Sequence, residues 1–159
     1  MSGSLASFAV FAAACLATAP SGAFFRPGAW YESLAKPSWR PPNRLFPPVW
    51  TILYAMIAVS GWLVWRERAG HDIAVPMLVY AVQLVLNFLW SALFFGMRRM
   101  DYALADIALL WLSILVLIAL FRPVSPLAAL LLIPYLAWVS FAACLNLTML
   151  RLNPVEGTR

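Results

Sequence analysis

Four stretches of this chain, residues 1–25, 45–65, 73–97 and 123–150, contain no Asp, Glu, Lys or Arg, and a fifth, 102–121, is interrupted only by Asp106. A helix needs about 20 apolar residues to cross about 30 Å of hydrocarbon. Each stretch is long enough. Charged residues make up only 11% of the chain, against about 25% in a soluble domain, too few to cover a water-facing surface. In lipid, every backbone polar group must be satisfied within a helix or a closed barrel. Barrel strands alternate apolar and polar residues, whereas these runs are apolar all round. The sequence therefore predicts a single-domain, all-α integral membrane protein, a bundle of five transmembrane helices. They are expected at Leu5–Phe25, Leu45–Trp65, Val75–Met97, Tyr102–Phe121 and Leu127–Leu150.

The first segment has no Lys or Arg before Arg26 and is long for the apolar core of a signal peptide, so it is expected to be a span. Five spans place the termini on opposite sides. The 26–44 loop, the 98–101 turn and the C-terminal tail then share a face holding Arg26, Lys36, Arg40, Arg44, Arg98, Arg99, Arg151 and Arg159. The other face holds Arg66, Arg68 and Arg122. The excess of positive charge predicts that the first face is cytoplasmic and that the N-terminus lies outside. The net charge of +5 is thus mainly a topology signal, and no nucleic-acid partner is expected. Cys15 and Cys144 lie within apolar spans without metal-ligand spacing and read as buried structural thiols. The single histidine, His71, sits in a short loop, so no histidine-based metal site or triad is expected.

Most connections are short, but residues 26–44 read RPGAWYESLAKPSWRPPNR. Loops of this length in compact proteins are usually functional or disordered, and Trp30, Tyr31, Leu34 and Trp39 are groups that disordered linkers lack. Pro37, Pro41 and Pro42 forbid a continuous helix and stiffen the path. The loop is expected to form a lid over the bundle, with an interfacial aromatic anchor as the alternative.

Two stripes stand out. In the third segment Tyr80, Gln83, Asn87, Trp90 and Phe94 are spaced by 3, 4, 3 and 4 residues and share one face. Polar residues in a span face the bundle or a cavity, or hold neighbouring helices together. In the fifth, Tyr135, Trp138, Ala142 and Asn146 form a second stripe, with Ala142 leaving room and Pro134 expected to kink the helix. Trp50 and Tyr54 share a face of the second segment, whose Pro47 and Pro48 fall in the first turn; Trp62 and Trp65 beside Arg66 read as an interface belt. Ala92 and Gly96, on the opposite face of the third segment, form a small-xxx-small pair suited to a homodimer seam. Asp106 is the lone acid inside a span, and pairing with a loop arginine, or holding the lid shut, is favoured over a proton relay.

No nucleophile–base pair, paired carboxylates, HExxH or glycine-rich phosphate loop is present. What remains is a pocket of tryptophan, tyrosine and asparagine, suited to a flat, amphipathic, conjugated ligand whose carboxylates would meet the basic lid face. A transporter is a weaker reading, because an inverted repeat is not evident and only one acid lies in a span.

The segment W-Y-x-x-L-x-K-P-x-W-x-P-P from Trp30 to Pro42 resembles the signature of the TspO/peripheral benzodiazepine receptor family, whose members include tryptophan-rich sensory and translocator proteins. Trp50 and Tyr54, Asn87 with Phe94-Phe95-Gly96, ALAD at 103–106, and PYLAW at 134–138 followed by Leu145-Asn146 extend the resemblance over nearly the whole chain. The resemblance implies a five-helix bundle whose cavity opens toward the first loop, on the cytoplasmic side of a bacterial membrane. It implies that no cofactor is required, and that the ligands are porphyrins such as protoporphyrin IX, haem, isoquinoline and benzodiazepine drugs and, in animals, cholesterol. Pocket residues matching the family are Trp30, Trp50, Tyr54, Asn87, Trp90, Trp138 and Ala142. To these the stripes and the lid add Trp39 and Phe94, with Pro41 and Pro42 as lid structure. Some bacterial relatives degrade porphyrin in light, which would make Trp50 and Trp138 the reacting residues. The animal sterol motif requires a Tyr that the stretch Leu145–Arg151 lacks, so a bacterial porphyrin binder is expected rather than a sterol protein.

Overall fold

A computed structural model describes residues 2–18 and 28–154, and the described residues form helices and connections without strands. In chain order the helices are α1 (Ser2–Thr18), α2 (Ala29–Ser33), α3 (Phe46–Arg66), α4 (Ala74–Ser91), α5 (Met100–Phe121), α6 (Pro126–Leu131) and α7 (Ile133–Leu152). A 3₁₀ turn, Asn43–Leu45, leads into α3, and a π-helical turn, Ala92–Gly96, extends α4. Four helical stretches, Asn43–Arg66, Ala74–Gly96, Met100–Phe121 and Pro126–Leu152, are long and apolar enough to cross a membrane, while α1 is shorter. Of the first expected span, residues 19–25 lie outside the described residues, as do Arg26 and Pro27 of the expected lid.

Helix α5 is the spine. Ala103, Ile107, Leu110, Ile114, Leu117 and Phe121, at alternating spacings of four and three, are all nearly fully buried against α4, α6 and α7. Its other face exposes Leu109, Leu112, Leu115 and Val116. Exposed apolar side chains recur on α1, α4 and α6, and together they would be unstable in water; hydrocarbon is their solvent. The helices are held by close packing and interhelical hydrogen bonds, since lipid removes the hydrophobic advantage of association. Ser60 Oγ on α3 donates to Ala128 O on α6 at 2.8 Å, Trp111 Nε1 on α5 to Ser140 Oγ on α7 at 2.8 Å, and Asn146 Nδ2 on α7 to Met100 O at 2.9 Å.

Helix α1 packs on α3 and α4 through Phe11, Cys15 and Thr18, and its opposite side (Leu5, Val10, Leu16) is exposed. Trp62 and Trp65 do more than mark an interface. Trp62 meets Phe8 edge-on and Trp65 meets Phe11, while the Arg66 and Arg68 guanidinium groups lie over the two indoles at 5.0 and 5.1 Å.

The fifth segment is bent at Pro134, as expected, with the helix interrupted for one residue at Leu132. Proline cannot donate the helical N–H and its ring crowds the carbonyl four residues earlier. With Pro134 in the first turn of α7, Leu132 instead closes a tighter turn, its N–H bonding Ala129 O at 3.1 Å. Helix α6 begins at the N-cap Ser125, whose hydroxyl accepts from Ala128 N, followed by Pro126. Cys15 is buried, but Cys144, expected to be buried too, is exposed on the outer face of α7. The end of α4 departs from α-geometry: Met97 N bonds Ala92 O at 2.8 Å, Arg99 N bonds Leu93 O at 2.9 Å, and Arg98 between them adopts φ 58°. Ala92 and Gly96, the small pair expected to form a homodimer seam, both lie in this widened turn.

Candidate functional site

The N-terminal half of α3, the C-terminal end of α4 with its π turn, the start of α5 and the C-terminal half of α7 meet at one end of the bundle. They enclose a cavity of about 530 Å³, a size usual for sites that take drug-sized ligands. Trp50, Tyr54, Asn87, Trp90, Phe94, Trp138 and Ala142, seven of the expected ligand residues, line it together. None of its lining residues, all among the described ones, is charged.

The walls are aromatic because both stripes and the α3 pair turn inward. Trp50 and Tyr54 lie 5.4 Å apart at a 30° tilt, and Trp50 also meets Tyr135 edge-on. Trp90 stacks on Phe94 at 5.2 Å, and Phe46 meets Trp138 edge-on at 5.7 Å. The Trp90 indole N–H is committed to Asn146 Oδ1 at 3.1 Å. The indole nitrogens of Trp50 and Trp138, both lining residues, make no hydrogen bond among the described residues.

A hydrogen-bonded chain forms the floor. Tyr54 Oη donates to Asn87 Oδ1 at 2.7 Å, Asn87 Nδ2 to Tyr135 Oη at 2.8 Å, and Tyr135 Oη to Gln83 Oε1 at 3.1 Å. Asn87, Tyr135 and Gln83 are buried. A chain of this kind fixes its members in one arrangement, because breaking any link strands a polar group in a medium with no water. It also specifies what Asn87 offers a ligand. Its oxygen keeps one lone pair and its amide one hydrogen. Gln83 Nε2, at the end of the chain, has no partner among the described residues.

Not every expected site residue reaches the cavity. Trp30 packs edge-on against Phe94 at 6.2 Å, with the Arg98 guanidinium 6.0 Å from its ring, and Trp39 packs on Phe141 at 5.8 Å. Neither lines the cavity; Trp30 packs on the lining residue Phe94, whereas Phe141, against which Trp39 packs, is itself outside the lining. The place of the two tryptophans in the wall is taken by Tyr31, which is buried, and by Asn43 and Phe46. Pro41 and Pro42 fix the path into the 3₁₀ turn, where Leu45 N bonds Pro42 O at 3.0 Å. Asp106 is buried, and its Oδ2 has no partner among the described residues. The expected pairing with a loop arginine is not formed among the described residues. Arg99 makes a two-point contact with Asp101 instead.

The connection before α3 is tied to the bundle at two places. Asn153, just past the end of α7, accepts from Ala35 N at 2.8 Å and donates to Ala35 O at 2.9 Å. Arg40 Nη1 donates to Tyr31 Oη at 3.0 Å and to Asn43 Oδ1 at 2.6 Å.

The TspO/MBR family pattern matches residues 8–152. The chain is 44% identical over 154 residues to protein CrtK of Rhodobacter capsulatus, an alignment covering 96% of each. It is 47% identical over 147 residues to the tryptophan-rich protein TspO of Chlorobaculum tepidum, covering 88% of this chain and 91% of that one. It is 43% identical over 126 residues to the translocator protein of Homo sapiens, with 78% and 75% covered. An apolar helical bundle matched over nearly its whole length leaves one assignment: the chain is an integral membrane protein of the TspO/MBR family.

Proposed function

We propose that the protein is a membrane receptor that binds porphyrins (protoporphyrin IX, haem) and related flat amphipathic ligands in the 530 Å³ cavity, and thereby influences tetrapyrrole level or export. The observation that carries this reading is the composition of the cavity wall: several large aromatic rings, a few neutral polar groups and no charge. Aromatic faces stack on a conjugated macrocycle, and isolated hydrogen-bonding groups suffice to orient it. Isoquinoline and benzodiazepine drugs have the same flat, weakly polar character. In this reading α1 is the first of five spans, the cavity end faces the cytoplasm, and residues 26–44 are its lid. A homodimer would use the outer face of the third span.

The pocket is tested by measuring protoporphyrin IX affinity in Asn87→Ala and Trp138→Phe. Each is expected to weaken binding about tenfold, the equivalent of one oriented hydrogen bond or one aromatic contact. Unchanged affinity in both would remove the proposed pocket. The lid has its own test. Asn153→Ala removes both bonds to Ala35 and is expected to speed porphyrin dissociation about fivefold to thirtyfold, at about 1 kcal/mol for each bond. Stopped-flow release at the wild-type rate would contradict a lid held by Asn153.

A second reading is that bound porphyrin is oxidatively degraded in light and oxygen with Trp50 and Trp138 as the reacting residues. It is favoured by both indoles lining the cavity. A light-dependent product formed by wild type and lost in Trp50→Phe would establish it over simple binding.

A further inference from the structure

The cavity wall is neutral, yet two cations, Lys36 and Arg40, stand behind its rim against Tyr31. Arg40 is hydrogen-bonded through Nη1 to Tyr31 and Asn43, both of which line the cavity. Its guanidinium carbon lies 5.8 Å from the Tyr31 ring, which braces the plane of the group. Both partners are neutral acceptors, so Arg40 is held in place without being neutralised. Its Nε and Nη2 make no hydrogen bond among the described residues. Those two nitrogens form the edge of the guanidinium that receives a carboxylate in a two-point contact.

The other cations at this end are differently disposed. Lys36 Nζ lies 5.0 Å from the Tyr31 ring but is turned onto Glu32 O and Leu34 O at 2.9 and 3.1 Å, with the Glu32 carboxylate at 3.9 Å. Arg99 is committed to Asp101. Arg98 lies over Trp30, outside the lining. Arg44 is exposed and bonds no lining residue. Among the described cations, Arg40 is the one whose side chain bonds two lining residues, and its guanidinium keeps an open edge.

We infer that Arg40 is the acid-recognising residue of this cavity: its open Nε–Nη2 edge takes a carboxylate carried by the bound aromatic ligand, so the site selects flat aromatic acids over their neutral esters. The inference rests on the cavity reading above and specifies the ligand class that the reading leaves open. The aromatic body occupies the neutral wall, and the acid ends at the mouth, where Tyr31 and Asn43 aim the guanidinium.

The test titrates the full-length protein with protoporphyrin IX and with its dimethyl ester, which keeps the macrocycle and removes both charges. Wild type is expected to prefer the acid by about tenfold or more. Arg40→Gln is expected to lose about tenfold to a hundredfold in acid affinity while binding the ester within about twofold of wild type. Arg44→Gln removes the same charge from the neighbouring surface and is expected to change neither ligand by more than about threefold. Equal affinity of wild type for acid and ester would overturn the role of Arg40 without any variant being needed. So would an equal loss of both ligands in Arg40→Gln, which would mark Arg40 as a support for the rim, or an equal acid-specific loss in Arg44→Gln. Absence of saturable binding of either porphyrin to wild type is a separate result, and it would remove the cavity reading itself.

Discussion

Gly61→Leu is expected to loosen α1 from the bundle and lower the apparent melting temperature of the detergent-solubilised protein by several degrees. A Cβ at residue 61 would stand 2.7 Å from two ring atoms of Tyr80 and 2.8 Å from the Phe11 ring. The Tyr80 ring is not free to yield. Its hydroxyl donates to Ile57 O at 3.1 Å and lies 3.6 Å from Cys15 Sγ, while the ring stacks on Phe121 and takes Phe11 edge-on. Moving it would disturb α1, α3, α4 and the end of α5 together. Overpacking of this kind costs about 1–3 kcal/mol, and about 1 kcal/mol shifts the midpoint by about 2–4 °C in a chain of this size. The small gain in helix propensity on replacing glycine offsets part of the cost. A sharper readout is Cys15, 2% exposed at this contact. In a Cys144→Ser background, maleimide labelling of Cys15 should be slow, and Gly61→Leu should accelerate it. An unchanged melting point with unchanged labelling would contradict the close approach of α1, α3 and α4.

The second large effect is expected at Ala142. This residue lines the cavity on α7, one turn from Trp138 and one from Asn146, and is the smallest side chain in that wall. Ala142→Phe places a ring in the space itself, while Asn146 keeps its bonds to Trp90 and Met100 and so keeps α7 docked. Protoporphyrin affinity is expected to fall about tenfold to a hundredfold, the equivalent of the 1–3 kcal/mol that accompanies forcing extra volume into an occupied site. The melting temperature of the ligand-free protein should change little, because the added ring enters empty space. Wild-type affinity in this variant would show that the ligand sits elsewhere.

The contrast between these two sites shows what the sequence could reveal. The two stripes on α4 and α7 were legible because an α-helix repeats every 3.6 residues and polar side chains in lipid turn inward. Spacing and residue type put Asn87 and Trp90 on one helix face and Trp138 and Ala142 on another, and the family resemblance implies that both faces share one pocket. The lining from the 26–44 loop was not legible. Trp30 and Tyr31 are adjacent amphipathic aromatics on the one-turn helix α2, so only one can face the wall, and composition does not choose between them. Asp106 was expected to find an arginine, but no such pair forms among the described residues, where Arg99 bonds Asp101 and Arg40 bonds Tyr31 and Asn43. Cys144 was misplaced because both faces of a helix in lipid are apolar, and no polarity sorts the buried side from the exposed one. Pro134 was legible as the point of disruption, and the helix is interrupted there for one residue, Leu132.

The central claim is that a flat porphyrin occupies the aromatic cavity, and titrating intrinsic tryptophan fluorescence with protoporphyrin IX in the dark tests it most directly. Three of the eight tryptophans, Trp50, Trp90 and Trp138, line the cavity and would be quenched by a ligand held against them. Saturable quenching at one porphyrin per chain, shifted to higher concentration in Ala142→Phe, is the predicted result. Linear, non-saturating quenching of the same slope in both proteins would mean that porphyrin merely partitions into detergent, and would contradict the account.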